Sequence, residues 1–188
     1  VGGCCGTTPD HIRDMARSIS PMTKIERAAK VQVTAAEAPL KEPVPTAEKS
    51  TLAKKLANHE WVYTVEIVPP QGYLLAQTVE KSKLCAAAGF DAVNIPDGPR
   101  ASSRVSPLVT ACKIQEGAGI ETILHFCCRD KNLIGMQADL LGCAAMNINN
   151  ILFITGDPPK LGDYPFASGV FDMDSIGMAR IQSRLNRG

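Results

Sequence analysis

A polar or ionisable side chain stands near the end of each of four apolar segments that resemble β-strands. Glu66 lies shortly before Pro69-Pro70, Asn94 and His125 lie near the ends of the second and third segments, and Asp157 follows the fourth. In parallel α/β folds the carboxyl ends of the strands face the active site. Because an unpaired carboxylate is costly to bury, this placement predicts one site where the four side chains converge. The alternative is that Glu66 and Asp157 cap loops or meet backbone amides.

These residue types suit proton transfer beside a flat ligand. Glu66 lies within an apolar segment, which predicts a buried carboxyl able to act as an acid near neutral pH. Asp157 follows Gly156, where the missing side chain lets a ligand approach the backbone, and precedes two prolines that stiffen the loop. His125 is either a satisfied core histidine or a site residue, and the sequence leaves both open.

A pair of adjacent cysteines, Cys4 and Cys5, lies in a glycine-flanked loop, GGCCGTTP, just before a predicted helix. Zinc accepts thiolates, and catalytic zinc sites keep a position open for substrate, so the pair is a candidate metal site. Two cysteines do not complete such a site, and we expect a third ligand upstream of Val1. Cys127 and Cys128 end an apolar strand without C-x-x-C spacing and are interpreted as packing residues.

The elements that position these residues alternate between strand and helix. Predicted strands cover residues 61–68, 91–95, 121–126 and 150–155, and predicted helices cover residues 74–88, 105–118, 133–145 and 173–185. Four βα units of about thirty residues each predict a parallel sheet with helical cover. A TIM barrel and a doubly wound sheet share this pattern. No G-x-G-x-x-G follows the first strand, which disfavours a doubly wound sheet that binds a dinucleotide.

Three zones divide the chain. Residues 1–30 predict a loop and a helix that starts at Thr8-Pro9-Asp10, where Thr8 can cap and Pro9 suits the first helical position. Residues 31–50 hold three prolines and many small polar side chains, which is typical of an extended linker. Residues 51–188 carry the βα units. The fold class predicted is α/β, a partial TIM (βα)8 barrel preceded by a helix and an extended linker.

Composition narrows the function class. The chain has 188 residues, 45% of them hydrophobic, and a formal net charge of +1. These values exclude general disorder and disfavour a nucleic-acid surface, so we expect small-molecule substrates. No apolar run approaches the roughly 20 residues that span a bilayer, and no leader is recognisable, which indicates a cytoplasmic protein without a membrane partner. A start at Val1 and an abrupt end at Gly188 lead us to expect sequence beyond both ends.

The first zone resembles the zinc-binding motif of the homocysteine S-methyltransferase family, through VGGCCGTTPDHIR. That family holds zinc with two adjacent cysteines and one upstream cysteine, and zinc activates the homocysteine thiol. The resemblance implies that Cys4 and Cys5 are zinc ligands. It covers only the tail of that family's barrel.

The third zone resembles the methylenetetrahydrofolate reductase family, through VEIVPPQG, NIPDGPRASSRVSP, ILHFCCRDKN, ILFITGDPPKLGDYPFAS and GVFDMDSIGM. Members are (βα)8 barrels that carry FAD and use NAD(P)H to reduce methylenetetrahydrofolate to methyltetrahydrofolate. The resemblance implies that Glu66 is the acid that helps open the folate ring and that Asp157 lies near flavin and pterin. It further implies a flavin site lined by His125, Thr155, Gly156, Asp157, Ala167 and Asn94.

Taken together, the two resemblances imply a bifunctional enzyme with folate, homocysteine and a nicotinamide as small-molecule partners. Two alternatives remain: a fragment of the cobalamin-dependent methionine synthases, whose second barrel binds folate without flavin, and a non-catalytic binding module. Only about four βα units are present, so this chain alone is expected to bind FAD poorly and to be inactive. The oligomeric state stays open, with a homo-oligomer as one option.

Overall fold

The computed structural model describes residues 8–19 and 39–188. The chain divides into two compact units, residues 1–38 and residues 39–188. In the first unit, helix α1 spans Pro9–Ile19 and begins where the sequence predicts. Thr8 Oγ1 accepts a hydrogen bond from the His11 amide at 3.4 Å, as expected of a residue that precedes a helix.

The predicted zinc ligands Cys4 and Cys5 lie outside the described residues, and their role stays a prediction. Within the described ranges, no group of three or more His, Cys, Asp or Glu side chains could hold a metal ion. None of the helices in those ranges is long and apolar enough to cross a membrane.

The second unit is built on a parallel sheet of four strands in the order β1-β2-β3-β4. The strands are β1 (Thr64–Glu66), β2 (Ala92–Ile95), β3 (Glu121–Cys127) and β4 (Asn150–Ile154). The helices are α2 (Thr51–Ala57), α3 (Ala76–Ala87), α4 (Pro107–Ala118), α5 (Leu133–Ala145) and α6 (Ser175–Leu185). Because the strand order never reverses, this is the arrangement of a partial TIM barrel rather than a doubly wound sheet, and the predicted fold class is confirmed.

The hydrophobic core lies on the face of the sheet that the helices cover. Val93, Ile95 and Leu124 point outward from β2 and β3 and are almost completely buried. They pack in one cluster with Ile114 of α4 and Met136 of α5. This burial removes apolar surface from water and holds helices and sheet together.

Helix boundaries follow local capping. Helix α5 has the predicted bounds, and Asn132 at its N-cap accepts a hydrogen bond from the Gly135 amide at 2.9 Å. Asp174 caps α6 in the same way through the Gly177 amide at 2.7 Å. These caps satisfy amide groups that have no partner within the first turn of a helix.

Strand β1 is shorter than the predicted segment 61–68. Its edge position explains the difference, since only β2 pairs with it in the described sheet. The amide of Tyr63 donates to the carboxylate of Asp91 at 2.8 Å instead of to a strand. Beyond the strand, the amide of Ile67 still reaches the Asn94 carbonyl at 3.0 Å.

The second half of the predicted linker belongs to the second unit. Residues 31–38 lie outside the described part, whereas residues 39–50 precede α2 and contact the end of the chain. The amide of Lys41 donates to the Arg187 carbonyl at 2.7 Å, and a short 3-10 turn covers Thr46–Glu48. The last part of the predicted linker, residues 39–50, is therefore part of the second unit.

Helix α2 was not predicted from the pattern, and a long-range carboxylate holds it in place. Glu121 at the start of β3 accepts hydrogen bonds from the amides of Thr51 and Leu52 at 2.6 and 3.0 Å, across 70 and 69 positions of sequence. Asn150 donates to the same carboxylate at 3.2 Å. Ser50 caps the helix through the Ala53 amide at 2.9 Å. The amino end of α2 is thereby joined to β3 and β4.

Glu121→Gln is expected to destabilise the protein by about 1–2 kcal/mol at pH 7, because it replaces charge-assisted hydrogen bonds to the amino end of α2. Although burial raises it, the pKa of Glu121 lies below its ordinary value because the Leu52 and Thr51 amides and Asn150 donate to the charged form. This stabilisation is present above pH 4.5, the ordinary value, and is lost as the pH falls through the lowered one. Urea denaturation across that range measures both effects.

The matched control is Glu116→Gln on α4, an exposed carboxylate paired with Lys113 at 2.7 Å. Its substitution is expected to change the unfolding free energy by less than about 1 kcal/mol. Equal losses in the two variants at pH 7 would show that Glu121 does not hold α2.

Candidate active site at the carboxyl edge of the sheet

Strand register places three of the predicted site residues on one face of the sheet. Glu66 of β1 pairs with Asn94 of β2, and Asn94 pairs with Ile123 of β3. His125 lies two residues beyond Ile123, so it shares the same face. This is the face opposite the helices, which becomes the interior in a closed barrel. The predicted convergence of Glu66, Asn94 and His125 is thus present in the described sheet.

His125 is oriented by a neighbouring amide. Its Nε2 donates to Asn94 Oδ1 at 3.2 Å, which leaves Nδ1 as the acceptor nitrogen of the neutral ring. Burial lowers the pKa of His125 below its ordinary value, although the charge of Glu66 opposes the shift. The imidazole is therefore neutral at physiological pH and presents an oriented acceptor on the inner face.

Glu66 differs from the expectation of a buried acid, because it is exposed. The physical reason is that β1 is a short edge strand, and the described residues place nothing over its inner face. The carboxylate receives no hydrogen bond from the described part of the chain. It is nonetheless close enough for its charge to act on His125. Glu66 thus faces open space where a substrate could meet it.

The loop after β4 carries Thr155, Gly156 and Asp157. Thr155 Oγ1 accepts from the Ser175 amide at 3.2 Å, so its hydroxyl helps to hold the start of α6. Gly156 has a φ of 96°, and a Cβ there would come within 2.3 Å of Cys127 Sγ. The glycine is therefore required by the protein's own packing against β3, and the approach of a ligand at this position stays a prediction.

Asp157 is exposed, and its carboxylate receives no hydrogen bond within the described ranges. It lines a cleft of about 350 Å³ with Gly156, Ile154 and residues of the loop after β2. Ala167 lines a neighbouring cleft, also of about 350 Å³. Arg129 contributes to both clefts, so it forms part of the wall between them. The predicted site residues consequently fall into two groups, one on the inner face and one in the loops.

A larger cavity of about 450 Å³ lies elsewhere. It is lined by Leu140 and Cys143 of α5, Phe153 on the outer face of β4, and Gln182 of α6. None of the predicted site residues borders it. Its size alone gives it no chemistry, and the carboxyl edge remains the candidate site.

Three of the described cysteines, Cys127, Cys128 and Cys143, are buried. Cys127 and Cys128 are buried, as predicted for packing residues. Burial raises the pKa of Cys128 to about 11 and that of Cys143 to about 12. Thiols with such values remain protonated and are poor ligands and nucleophiles.

Asp97 is a site residue that the sequence analysis did not single out. It follows β2, is partly buried and borders the clefts that contain Asp157 and Ala167. Its Oδ2 accepts from the Cys127 amide at 2.9 Å. Burial raises the pKa of Asp97 above its ordinary value, although the Cys127 amide and two nearby cations oppose the shift. A carboxyl group whose pKa is shifted by burial within a cleft is typical of functional sites. In the sequence, the position of Asp97 shortly after a predicted strand was the signal that could have identified it.

Asp97→Asn is expected to increase the unfolding free energy at pH 7. With a raised pKa in the folded state, Asp97 favours folding in its protonated form, and this contribution is lost as the pH rises through the raised value. Asparagine carries no charge and its oxygen still accepts from the Cys127 amide. The advantage should shrink as the pH falls through the raised pKa and should be absent below 3.8, the ordinary value, which denaturation at several pH values measures.

Asp163→Asn is the control with the opposite sign. Hydrogen bonds from the Ser103 amide and the Ser102 hydroxyl hold the pKa of Asp163 below its ordinary value, so this substitution should reduce stability at pH 7. A loss of stability in Asp97→Asn would contradict the account of Asp97.

Comparison with known proteins agrees with this architecture. The family model of methylenetetrahydrofolate reductase matches residues 51–176. The match begins at α2, includes all four strands and ends in the first turn of α6. No curated protein matches the chain. Since the matched region covers more than half of the 188 residues, the chain belongs to the methylenetetrahydrofolate reductase family.

Proposed function

We propose that this chain contributes to a flavin-dependent enzyme that reduces 5,10-methylenetetrahydrofolate to 5-methyltetrahydrofolate with NAD(P)H. Family membership supports methylenetetrahydrofolate reduction in general. The observation that carries the finer proposal is the grouping of Glu66, Asn94 and His125 on one open face of the sheet. That grouping offers an exposed acid beside an oriented neutral imidazole.

Side chains on the inner face support the proposal that FAD binds there. Leu152 pairs with His125 in the register, lies on the same face and is 46% exposed. An exposed apolar side chain beside oriented polar groups suits a flat ring system with polar edges. When bound, FAD would take a hydride from the nicotinamide and pass it to the folate. We propose that it is held by Asn94, His125, Thr155, Gly156, Asp157 and Ala167.

The proposed roles are those that the family resemblance implies, and the position of each side chain supports them. Glu66, exposed on the inner face at the end of β1, donates a proton to the folate as the five-membered ring of the folate opens. His125 offers Nδ1 as an acceptor on the inner face, because Asn94 holds the Nε2 proton. Asp157 presents an unpaired carboxylate near the bound rings and adjusts their charge distribution. Thr155 contributes through its backbone, because its hydroxyl is engaged with α6.

Glu66→Gln is expected to lower folate reduction by about 100-fold or more, the usual contribution of a general acid. Reduction of the flavin by NAD(P)H should be unchanged, because that half-reaction needs no proton from Glu66. Stopped-flow absorbance of the flavin in the native full-length protein separates the two half-reactions. The matched control is Glu80→Gln, an exposed carboxylate on α3.

If both half-reactions proceed at the unchanged rate in Glu66→Gln, the role proposed for Glu66 is wrong. A full-length protein without flavin absorbance would favour a folate-binding barrel of the methionine synthase type. Flavin binding without NAD(P)H oxidation would favour a non-catalytic binding module.

We also propose that the amino-terminal segment contributes to zinc-dependent methyl transfer to homocysteine. Support comes from the motif VGGCCGTTPDHIR and from the chemistry of its donors, since paired thiolates bind zinc strongly. Cys4 and Cys5 would be two of the ligands. Zinc bound there would lower the pKa of a substrate thiol and favour its nucleophilic form.

Either Cys4→Ser or Cys5→Ser is expected to remove most of the zinc from the native full-length protein, measured by elemental analysis after purification. The matched control is Cys85→Ser, a free cysteine on α3, which should retain the metal. Unchanged zinc content in both motif variants would contradict the assignment.

A further inference from the structure

A buried guanidinium lies at the centre of the carboxyl edge. Arg129 follows β3 and is only 4% exposed. Its Nε and Nη2 donate to the two carboxylate oxygens of Asp130, each at 2.7 Å. This bidentate pair supplies the opposite charge that a buried arginine requires. Asp130 keeps contact with water, because its side chain is 53% exposed.

The remaining guanidinium protons bind backbone carbonyls of two other loops. Nη1 donates to the Asp157 carbonyl at 3.2 Å in the loop after β4. Nη1 and Nη2 both donate to the Gly98 carbonyl in the loop after β2, at 3.5 and 3.4 Å. The Arg129 carbonyl itself accepts from the Val170 amide at 2.8 Å. One residue thus joins the loops that follow β2, β3 and β4.

Every guanidinium proton is engaged. Nε makes one hydrogen bond, and Nη1 and Nη2 make two each, which accounts for the five N–H groups of arginine. The guanidinium thus donates to the protein itself, which favours a role for Arg129 within the protein.

Two glycines on separate loops leave room for Arg129. A Cβ at Gly98 would come within 2.8 Å of Arg129 Nη2, and a Cβ at Gly156 would come within 3.2 Å of Arg129 Cβ. Both glycines have a positive φ, of 48° and 96°. The two loops consequently follow backbone paths that pass close to the guanidinium.

We propose that Arg129 is the positioning residue for Asp157. This inference rests on the proposed role of Asp157 in the reductase site. The Asp157 carboxylate has no hydrogen bond among the described residues, so its position depends on its backbone. The hydrogen bond from Nη1 to its carbonyl fixes that backbone relative to β3, and the link to Gly98 fixes it relative to the opposite side of the cleft.

The first test is a double-mutant cycle in the native full-length protein. Arg129→Lys keeps the charge but cannot reproduce the five-donor fork. It should lower kcat by up to about 100-fold, as small misplacements of reacting groups do, with a smaller change in KM. If Arg129 acts through Asp157, adding Arg129→Lys to Asp157→Asn should cause little further loss. A loss of kcat in the double variant equal to the product of the two single losses would overturn the proposal.

Lys113→Met is the matched control, because it removes an exposed cation on α4 that pairs only with Glu116 among the described residues. It should leave kcat and KM unchanged. If Arg129→Lys does not fold, Asp130→Asn replaces it in the same double-mutant cycle. This substitution weakens the bidentate hydrogen bonds to Arg129 by changing an exposed side chain. A fall in kcat that persists in the Asp157→Asn background would again overturn the proposal.

Amide hydrogen exchange separates this inference from the proposed function. In Arg129→Lys, the loops at 98–103 and 156–163 should exchange faster, while α4 and α5 remain as protected as in the unchanged protein. Faster loop exchange in a protein without folate reduction would support the positioning role of Arg129 and reject the proposed function. Unchanged loop exchange would reject that positioning role whatever the activity.

Discussion

In-register pairing of parallel strands is the constraint on which the rest of this structure depends. The pairing of Glu66 with Asn94, and of Asn94 with Ile123, decides which side chains share a face. One face supplies apolar residues to the helices, and the other carries Glu66, Asn94 and His125. A shift of one residue in β2 would move Asn94 into the core and Val93 onto the inner face. Stability and the composition of the site are therefore set by the same backbone hydrogen bonds.

The candidate site divides into a part held by strands and a part held by loops. His125 and Asn94 lie on strands and orient each other, so their geometry follows from the sheet. Asp157 and Asp97 lie beyond the strands, where the backbone is held by specific side-chain contacts. A side chain on a loop keeps a precise position only when a surrounding group holds it. Asp97 meets this condition through the Cys127 amide.

Much of the fold could be predicted because its signals are local. The bounds of α5 follow from one apolar segment with Asn132 before it, and the strand-end position of His125 follows from the pattern of β3. Helix α2 could not be predicted in this way, because Glu121 holds it from 70 positions away. The exposure of Glu66 was also missed, since it depends on the shortness of β1 and not on the apolar residues around it.

The position of β3 between β2 and β4 explains why Arg129 reaches both neighbouring loops. A residue shortly after this inner strand has the loop after β2 on one side and the loop after β4 on the other. A long side chain there can donate to both backbones, whereas a residue after an outer strand borders only one of them. Gly98 and Gly156 leave the space through which that side chain passes. The geometry of the site thus depends on the order of the strands as well as on the residues at their ends.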